Sequence, residues 1–327
     1  MGLVQGLSLF GGLIKCNLFN QKIPLNVGFS ITNKCNSNCI YCRIPKRKVK
    51  ELSTEQVLEI IEVLSKNGTK RIGFTGGEPL LREDIEEIID FAHNKNIFTS
   101  LGSNGMLAEK KIDELKNLDL LVLSLDGGRK IHDTQRGIEC YEKVVSAIKK
   151  AKENGINVWT VTTLTKYNLN EINFILEKAQ ELNFWASFQP LHHNPKLAGN
   201  TEKIMPSEKD YKNAVRKLIQ AKIEGKKVAN SMHYLNHLLY WPDSIKTTKC
   251  LAGRQFCHID SNGDIFPCFN SMEEFKALNF FENGFEKAFE NLSGLNCSSC
   301  LSANCMEYNF IGSMNFGALM NLRNKSF

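Results

Sequence analysis

The feature that most constrains the fold is a regular alternation of short apolar runs with amphipathic stretches between residues 26 and 190. Strands are predicted over residues 27–32, 71–75, 98–102, 120–125, 158–163 and 186–190. Helices are predicted over residues 53–66, 83–94, 108–115, 141–154 and 170–182. Strands that alternate with helices form a parallel sheet through right-handed crossovers. The alternation therefore predicts an α/β fold, and periodicity alone leaves an open sheet and a partial barrel as alternatives.

Three cysteines, Cys35, Cys39 and Cys42, follow the first predicted strand in one short loop. Their spacing can bring three thiolates to one face of a metal cluster. A structural zinc site needs four protein ligands, whereas a cubane iron–sulfur cluster held by three cysteines keeps one iron open for chemistry. The loop lies at the carboxyl end of the predicted sheet, where α/β folds bind their ligands. The triplet indicates an iron–sulfur enzyme, and half of a zinc site is the alternative.

The second predicted strand ends in the turn Gly76, Gly77, Glu78 and Pro79. Two glycines allow a ligand to approach the backbone closely, and the carbonyls together with Glu78 can accept hydrogen bonds from an ammonium group. An ordinary strand–helix turn is the alternative, since glycine and proline are common there. The position of this turn beside the cysteine loop favours a binding site.

Together these motifs resemble the radical S-adenosylmethionine (radical SAM) superfamily, in its partial (β/α)6 barrel form, over roughly residues 26–190. Within the triplet, Tyr41 would place a flat ring beside the cluster. Further matching positions follow the third, fourth and fifth strands, and these are Ser103, Asn104, Ser124, Asp126, Arg136 and Thr163. The resemblance implies ribose contacts from Ser103 and Asn104, and a position near the SAM carboxylate for Arg136. Thr163 corresponds to the segment near the adenine.

The resemblance also implies a mechanism and two cofactors, a [4Fe–4S] cluster and SAM. SAM would chelate the open iron, and one-electron reduction would cleave its S–C5′ bond to give a 5′-deoxyadenosyl radical that abstracts a substrate hydrogen. Glu78 would anchor the SAM ammonium by a charge-assisted hydrogen bond. The partners implied are a one-electron donor such as flavodoxin or ferredoxin, and a peptide or small-molecule substrate.

A second group of cysteines lies near the end of the sequence, and its six candidate metal ligands are Cys250, Cys257, Cys268, Cys297, Cys300 and Cys305. Their spacing resembles the auxiliary-cluster domains called SPASM, with two extra clusters, and twitch, with one. A complete SPASM pattern would have a cysteine where Asn309 stands and another beyond it. The twitch pattern is matched best by Cys250, Cys268, Cys297 and Cys300. We expect one auxiliary [4Fe–4S] cluster, with two clusters and a zinc knuckle as alternatives.

Four segments are predicted. Residues 1–25 form an N-terminal extension and residues 26–200 the radical SAM partial barrel. Residues 201–249 form a connector with helices over 207–224 and 230–240, and residues 250–327 form the auxiliary iron–sulfur domain. A small segment rich in cysteine usually relies on metal for its fold.

Charge and cysteine usage exclude several classes of protein. The 41 basic and 35 acidic residues are well mixed, without the concentrated basic stripe of a nucleic-acid binder. The 11 cysteines are odd in number and no secretory signal precedes them, which disfavours a disulfide framework and predicts a reducing cytoplasm. Cys16 and Cys140 are expected to be unliganded thiols.

The amino-terminal segment carries apolar residues near helical spacing, at Leu3, Val4, Leu7, Phe10, Leu13 and Ile14. Packing on the outside of the barrel is the favoured interpretation, and weak contact with a membrane surface is the alternative. A solvated loop is expected for His192 and His193, with substrate contact as the alternative. A polar helix face is expected for His233 and His237.

The sequence predicts a radical SAM enzyme that acts on an unactivated C–H bond. Peptide maturation, by crosslinking or epimerisation, is the favoured outcome. A small-molecule or lipid-modifying radical SAM oxidoreductase is the alternative among enzymes. A non-catalytic, zinc-stabilised binding module is the alternative from another class.

Overall fold

The computed structural model of the chain describes residues 3–191, 194, 196–198, 201–242, 248–292, 297, 300–315 and 317–319. His192 and His193 lie outside these residues, so the expectation for them stays a prediction.

Nine strands form a single sheet within the described residues. They are β1 (Asn26–Thr32), β2 (Arg71–Gly76), β3 (Phe98–Ser103), β4 (Leu120–Ser124), β5 (Asn157–Leu164), β6 (Trp185–Pro190), β7 (Phe256–Ile259), β8 (Asp264–Phe266) and β9 (Leu278–Asn279). Their spatial order is β6-β5-β4-β3-β2-β1-β7-β8-β9. The first six strands pair in parallel with their sequence neighbours. The six predicted strands and the α/β class are confirmed, and the open parallel sheet is that of a partial barrel.

The described residues contain twelve α-helices. They are α1 (Leu3–Leu18), α2 (Thr54–Lys66), α3 (Ile85–Asn94), α4 (Ala108–Lys111), α5 (Arg129–Arg136), α6 (Tyr141–Glu153), α7 (Ile172–Glu181), α8 (Glu208–Ile223), α9 (Met232–Leu238), α10 (Phe280–Asn283), α11 (Phe285–Glu290) and α12 (Ala303–Gly312). Every predicted helix is present, although the one expected over 108–115 divides into α4 and a 3-10 turn at Ile112–Glu114.

Local sequence explains where these helices begin. Ser53 caps α2, because its hydroxyl accepts a hydrogen bond from Gln56 N (3.4 Å) while the Gln56 side chain accepts one from Ser53 N (3.1 Å). This reciprocal arrangement satisfies two amides that the helix leaves unpaired. Ser207 caps α8 in the same position, accepting from Asp210 N at 3.1 Å. The apolar faces of the helices between β1 and β6 pack on the sheet, around fully buried side chains such as Phe29 and Phe74.

The sheet continues beyond the six strands of the predicted barrel. β7 pairs in parallel with β1, from Asn26 opposite Phe256 to Phe29 opposite Ile259. β8 and β9 then extend the sheet in antiparallel fashion. The segment expected to be a separate auxiliary domain therefore begins on the same sheet as the barrel strands.

The amino-terminal helix α1 packs on the body of the protein through one face. Leu9, Leu13 and Cys16 are buried on that face. Gly12 fits against Leu25, since a Cβ at Gly12 would lie 2.4 Å from the Leu25 side chain. Packing on the outside of the sheet domain thus accounts for the apolar residues on this face of α1. Among the described residues, every helix is too short or too polar to cross a bilayer.

Candidate active site

The cysteine triplet lies in the loop after β1, and α5 holds this loop in place. Asn38 N donates to Arg136 O, and Ile40 N donates to Gln135 O, each at 3.1 Å. Gly137 ends the helix with φ of 65°, and a Cβ there would lie 2.3 Å from Asn38 O. Glycine is therefore required at position 137 for two reasons: the backbone has a positive φ, and a side chain would collide with the cysteine loop.

The three thiols share one electrostatic environment. Burial raises the pKa of Cys35, Cys39 and Cys42, and burial together with the charges of the neighbouring thiols raises that of Cys42 to about 11. Polar donors face the sulfurs. Cys35 Sγ accepts from Ser37 N (3.4 Å) and lies 3.8 Å from Asn104 Nδ2, while Arg136 Nη1 lies 4.0 Å from Cys39 Sγ. Sulfurs gathered together, with donors aimed at them, suit a thiolate-ligated metal cluster, because metal ligation deprotonates a thiol.

The Gly76–Gly77 turn packs directly against the cysteine loop. Gly77 N donates to Thr32 O, and Glu78 N donates to Lys34 O, each at 2.8 Å. A Cβ at Gly76 would lie 2.1 Å from Thr32 O, and one at Gly77 would lie 2.2 Å from Lys34 O. The glycines therefore bring two backbone segments together. The sequence interpretation had assigned their small size to the approach of a ligand.

Glu78 joins the turns after β2 and β3. Its side chain is fully buried, and its carboxylate accepts hydrogen bonds from Leu80 N (3.1 Å) and Asn104 N (2.7 Å). Burial raises the pKa of Glu78 to about 7, and the two backbone hydrogen bonds oppose this rise. Ser103 supports the same turn, since its hydroxyl accepts from Gly105 N at 3.0 Å. The predicted contact of Glu78 with an ammonium stays a prediction, and the carboxylate already binds two amides.

Asp126, Arg136 and Tyr41 form a buried charged group beneath the cysteine loop. Arg136 Nε lies 2.8 Å from Asp126 Oδ2, and the Tyr41 hydroxyl donates to the same oxygen at 3.1 Å. The Arg136 guanidinium lies 5.6 Å from the centre of the Tyr41 ring. Thr163 N donates to Asp126 Oδ1 at 3.0 Å. The structure thus brings four sequence-predicted residues together, with Ser124 at the end of the adjoining strand β4.

Two further residues position Asp126, and sequence reasoning gave them no such role. His132 Nδ1 accepts from Asp126 N at 3.1 Å, and Asn168 Nδ2 donates to Asp126 O at 3.0 Å. Burial lowers the pKa of His132 to about 4, so the ring is neutral. The other ring nitrogen of His132 lies 3.1 Å from Cys140 Sγ. The signal available in the sequence was the polar stretch 131–136, which the structure folds as α5.

His132, Asp133 and Cys140 lie close enough together to suggest a metal site. Their ligand atoms have other partners, however. His132 Nδ1 accepts from the Asp126 amide, and Asp133 Oδ1 accepts from Cys140 N and Tyr141 N, each of the latter at 2.9 Å. That Cys140 is an unliganded thiol stays a prediction.

Five of the six distal cysteines form a second group of thiols, namely Cys250, Cys268, Cys297, Cys300 and Cys305. Hydrogen bonding with Cys305 lowers the pKa of Cys268 to about 7 and also lowers the pKa of Cys300. Burial raises the pKa of Cys297 to about 11, and the charges of Cys268, Cys250 and Cys300 add to this rise. These mutual effects show that the five sulfurs occupy one region.

Cys257 does not join this group. It lies on β7, opposite Val27 of β1, within the main apolar core. Burial alone raises the pKa of Cys257, without any contribution from another thiol. The spacing of the cysteines could not show that Cys257 points into the core. Side chains of a strand alternate between its two faces, and the face that is buried is known only from the fold.

Asn309 lies beside the distal thiols, at the position where a complete SPASM pattern has cysteine. Its Oδ1 accepts from Leu251 N at 2.8 Å, and a hydrogen bond from its side chain acts against the burial that raises the pKa of Cys250. The neighbouring helix α9 also reaches the group, since the buried His237 donates from Nε2 to Cys300 O at 2.7 Å. His237 is therefore an interior residue, and the expected polar helix face was wrong for it.

A cavity of about 190 Å³ lies between the two groups of thiols. The triplet loop contributes Tyr41 and Cys42, and the strand ends contribute Thr163 and Gln189. The distal segment contributes Phe269, next to Cys268, and Leu301, next to Cys300. A small molecule or side chain in this cavity would contact Cys42 of the triplet and the chain neighbours of Cys268 and Cys300.

Residues 29–179 match the sequence profile of the radical SAM superfamily. These residues form a radical SAM domain. The match implies a [4Fe–4S] cluster and SAM, and the triplet described above lies within the matched residues.

Two curated relatives and one solved structure extend the comparison. The AdoMet-dependent heme synthase of Methanosarcina barkeri is 28% identical over 82% of this chain and 82% of its own length. The mycofactocin maturase MftC of Mycolicibacterium smegmatis is 24% identical over 85% of this chain and 75% of its own. Streptococcus suis SuiB bound to its precursor peptide SuiA has the same fold, with a TM-score of 0.68 at 17% identity, over 86% of this chain and 67% of SuiB.

Proposed function

We propose that this radical SAM enzyme modifies a peptide by abstracting a hydrogen atom from an unactivated C–H bond. When bound, the [4Fe–4S] cluster and SAM supply a 5′-deoxyadenosyl radical for this abstraction. The observation that carries the proposal is the group formed by Cys35, Cys39 and Cys42, which offers three soft ligands and leaves room for a fourth from SAM.

In this proposal Cys35, Cys39 and Cys42 hold the cluster. Asn104 and Arg136 stabilise the negative charge on its sulfur ligands, because their N–H groups face Cys35 Sγ and Cys39 Sγ. Arg136 is itself held by Asp126, so the ion pair fixes both the cation and the loop. Tyr41 is oriented by the same carboxylate and lines the cavity.

The cavity supports a substrate that reacts through one side chain. Its volume of about 190 Å³ is below the 300–1,000 Å³ typical of pockets for whole small molecules. Leu191, Leu197 and Phe269 give it apolar walls, which limit the access of water to a reactive intermediate. A peptide could insert one side chain here and leave its backbone outside. The names of MftC and of the SuiB–SuiA complex agree with a peptide substrate.

A small-molecule substrate is the second candidate. The heme synthase of Methanosarcina barkeri shares more sequence identity with this chain than MftC does. A tetrapyrrole is larger than the cavity between the thiol groups. This candidate therefore requires the distal segment to move away from the strand ends.

We further propose one auxiliary [4Fe–4S] cluster, with its four ligands drawn from Cys250, Cys268, Cys297, Cys300 and Cys305. The hydrogen bonds that Cys305 forms with Cys268 and Cys300 support its inclusion among the candidates. Cys257 is omitted because it packs in the apolar core. The electron donor is a reduced flavodoxin or ferredoxin, and the cytoplasm is the compartment that would supply it.

The test is reductive cleavage of SAM by anaerobically prepared protein. Dithionite-reduced protein should form 5′-deoxyadenosine, whereas Cys39→Ala protein should form none. Cys16→Ala is the matched control, because Cys16 is a buried thiol of α1 whose pKa is not affected by any other thiol. Protein that contains zinc, lacks iron and sulfide, and leaves SAM intact would instead support the zinc-stabilised module.

The substrate class has its own test. Deuterium from a labelled candidate peptide should appear in 5′-deoxyadenosine. Transfer from a labelled tetrapyrrole, with none from peptides, would replace the peptide proposal by the small-molecule one and leave the radical chemistry intact.

A further inference from the structure

The outward side of helix α1 exposes several large apolar side chains. Leu7 is 65% exposed, Phe10 45%, Leu18 74% and Phe19 68%. The other large apolar side chains exposed by the described residues are scattered over distant elements, at Leu81, Tyr167, Ile223, Tyr240 and Phe281. Single exposed apolar residues are normal on protein surfaces, whereas a contiguous patch marks an interaction site.

The helix needs only its inner face to remain folded on the protein. Leu9 and Leu13 are buried there, and successive residues of a helix are rotated by about 100°. Leu7, Phe10 and Leu18 consequently project from the opposite side, with the half-buried Ile14 between them. Within the part of the chain that the structure describes, nothing in the packing of α1 requires these outward residues to be apolar, so their character points to a binding partner.

Positive charge lies at the carboxyl-terminal end of this apolar face. The first 50 residues carry eight basic and no acidic side chains, whereas the remainder carries 33 basic and 35 acidic ones. Lys15 lies in the last turn of α1, and Lys22 follows shortly after it. Arg254 lies beside the end of the helix, where its Nη2 donates to Asn20 Oδ1 at 2.6 Å. Among the ion pairs formed by described residues, none involves Lys15 or Lys22.

We propose that the outward face of α1, formed by Leu7, Phe10, Leu18 and Phe19, docks onto an anionic phospholipid surface. Apolar side chains that enter the acyl boundary, with lysines that reach the headgroups, are the components of interfacial binding. The helix would lie on the bilayer, in agreement with the absence of a bilayer-crossing helix among the described residues.

A second copy of the chain fits this face less well. A two-fold dimer places the same patch on both sides of its interface. Lys15, Lys22 and Arg254 of both copies would then border one interface, and the first 50 residues hold no acidic side chain to balance these cations. Like charges across an interface oppose association. Anionic lipid supplies the opposite charge.

Vesicle co-sedimentation of the full chain tests the proposal. One set of vesicles contains phosphatidylcholine alone, and the other contains equal parts of phosphatidylcholine and phosphatidylglycerol. We expect binding to the anionic vesicles, with a partition coefficient that falls about fivefold for each of Leu7→Gln, Leu18→Gln and Lys15→Gln. Ile223→Gln is the matched control, because Ile223 is 66% exposed on α8 and should leave binding unchanged.

Three results would overturn the proposal. The first is wild-type protein that does not sediment with anionic vesicles. The second is equal binding by wild-type protein and a Leu7→Gln/Leu18→Gln variant. The third is a wild-type dimer without lipid affinity that dissociates in the same double variant, which would assign the face to a second copy. Unchanged SAM cleavage shows that each variant is folded, since none of these side chains belongs to the site.

Discussion

Asp126 shows how a single buried charge organises the site. Its fully buried carboxylate has three partners, the Arg136 guanidinium, the Tyr41 hydroxyl and the Thr163 amide. A charge in the interior requires such partners, because removal from water costs several kcal/mol per ion. The three partners come from three different elements, which are α5, the cysteine loop and β5. One carboxylate therefore fixes the relative position of parts that are distant in the sequence.

Arg136→Gln should lower the free energy of unfolding by about 3–5 kcal/mol, because it leaves the buried Asp126 carboxylate without its counter-ion. Arg129→Gln is the control at the other end of α5. Arg129 is 67% exposed and pairs with the exposed Glu142, so its loss should cost less than about 1 kcal/mol. Urea denaturation measures both. Equal losses would mean that the Asp126–Arg136 pair contributes no more than a surface pair.

Glu78 should titrate near pH 7 in the folded protein. Burial raises its pKa from 4.5 to about 7. Because the folded pKa lies above the unfolded one, the stability contributed by the protonated form is complete below pH about 4.5 and is lost as pH rises through about 7. That loss amounts to about 3 kcal/mol.

The measurement is the ¹³C carboxyl resonance of labelled glutamate in cluster-free protein. One resonance should move with a midpoint near pH 7, and it should be absent from Glu78→Gln. A Glu78 resonance with an ordinary midpoint near 4.5 would show that the two amide hydrogen bonds outweigh the burial.

At the scale of elements, backbone hydrogen bonds from two neighbouring segments hold the cysteine loop in place. The turn after β2 bonds the loop after β1 through Gly77 N and Glu78 N. The end of α5 bonds the same loop through the carbonyls of Gln135 and Arg136. Backbone groups therefore hold the cysteine loop from two sides, and these contacts position its three sulfurs.

Gly77→Ala should disrupt this arrangement. Its Cβ would lie 2.2 Å from Lys34 O, so one of two backbone segments must shift. We expect lower iron content in the triplet site and less 5′-deoxyadenosine formation than in the wild type. Gly11→Ala is the control, since a Cβ there meets nothing within 4 Å, and it should stabilise α1 by about 1 kcal/mol. Wild-type iron content in Gly77→Ala would show that the loop contact is dispensable.

At the scale of the whole molecule, one sheet carries both groups of thiols. β1 leads into the loop with Cys35, and its neighbour β7 leads through β8 to Cys268. The cavity near the triplet is lined by Cys42 and also by Phe269 and Leu301, the neighbours of Cys268 and Cys300. The distal segment therefore forms part of the cavity wall, although it is far from the triplet in the sequence.

Comparing Cys268→Ala with Cys257→Ala should distinguish a thiol that binds the auxiliary cluster from one that packs in the apolar core. Cys268→Ala should lose about four iron atoms per chain, the content of one [4Fe–4S] cluster, while SAM cleavage without substrate persists. Cys257→Ala should keep its iron, because Cys257 packs in the apolar core. Iron and sulfide analysis measures the difference. Loss of iron from Cys257→Ala at wild-type stability would return this thiol to the ligand set.

The sequence predicted the six barrel strands, their helices and the family, because each is encoded locally. Apolar periodicity marks the elements, and the triplet and the glycine turn are short motifs. The Asp126–Arg136 ion pair was not predicted, since it depends on tertiary distance. α5 escaped prediction because it is short and its residues are mostly polar.

Two further features, the position of Cys257 and the pairing of β7 with β1, could not be predicted because they depend on how distant segments meet in the fold. The separation of Cys257 from the other distal thiols follows from the face of β7 on which it lies, which spacing does not reveal. The pairing of β7 with β1 joins segments more than 200 residues apart, and no local pattern carries that register.

The β1–β7 pairing also bears on how this protein can be divided. A fragment that stops before β7 would leave β1 as a bare edge, with open amide and carbonyl groups along Asn26–Phe29 and with the apolar side chains of Val27, Phe29 and Ile31 on one face. Such an edge recruits strands from other molecules. A fragment that ends at residue 200, the predicted end of the barrel, should therefore aggregate. The barrel strands should be obtainable in soluble form only together with the distal segment that contains β7.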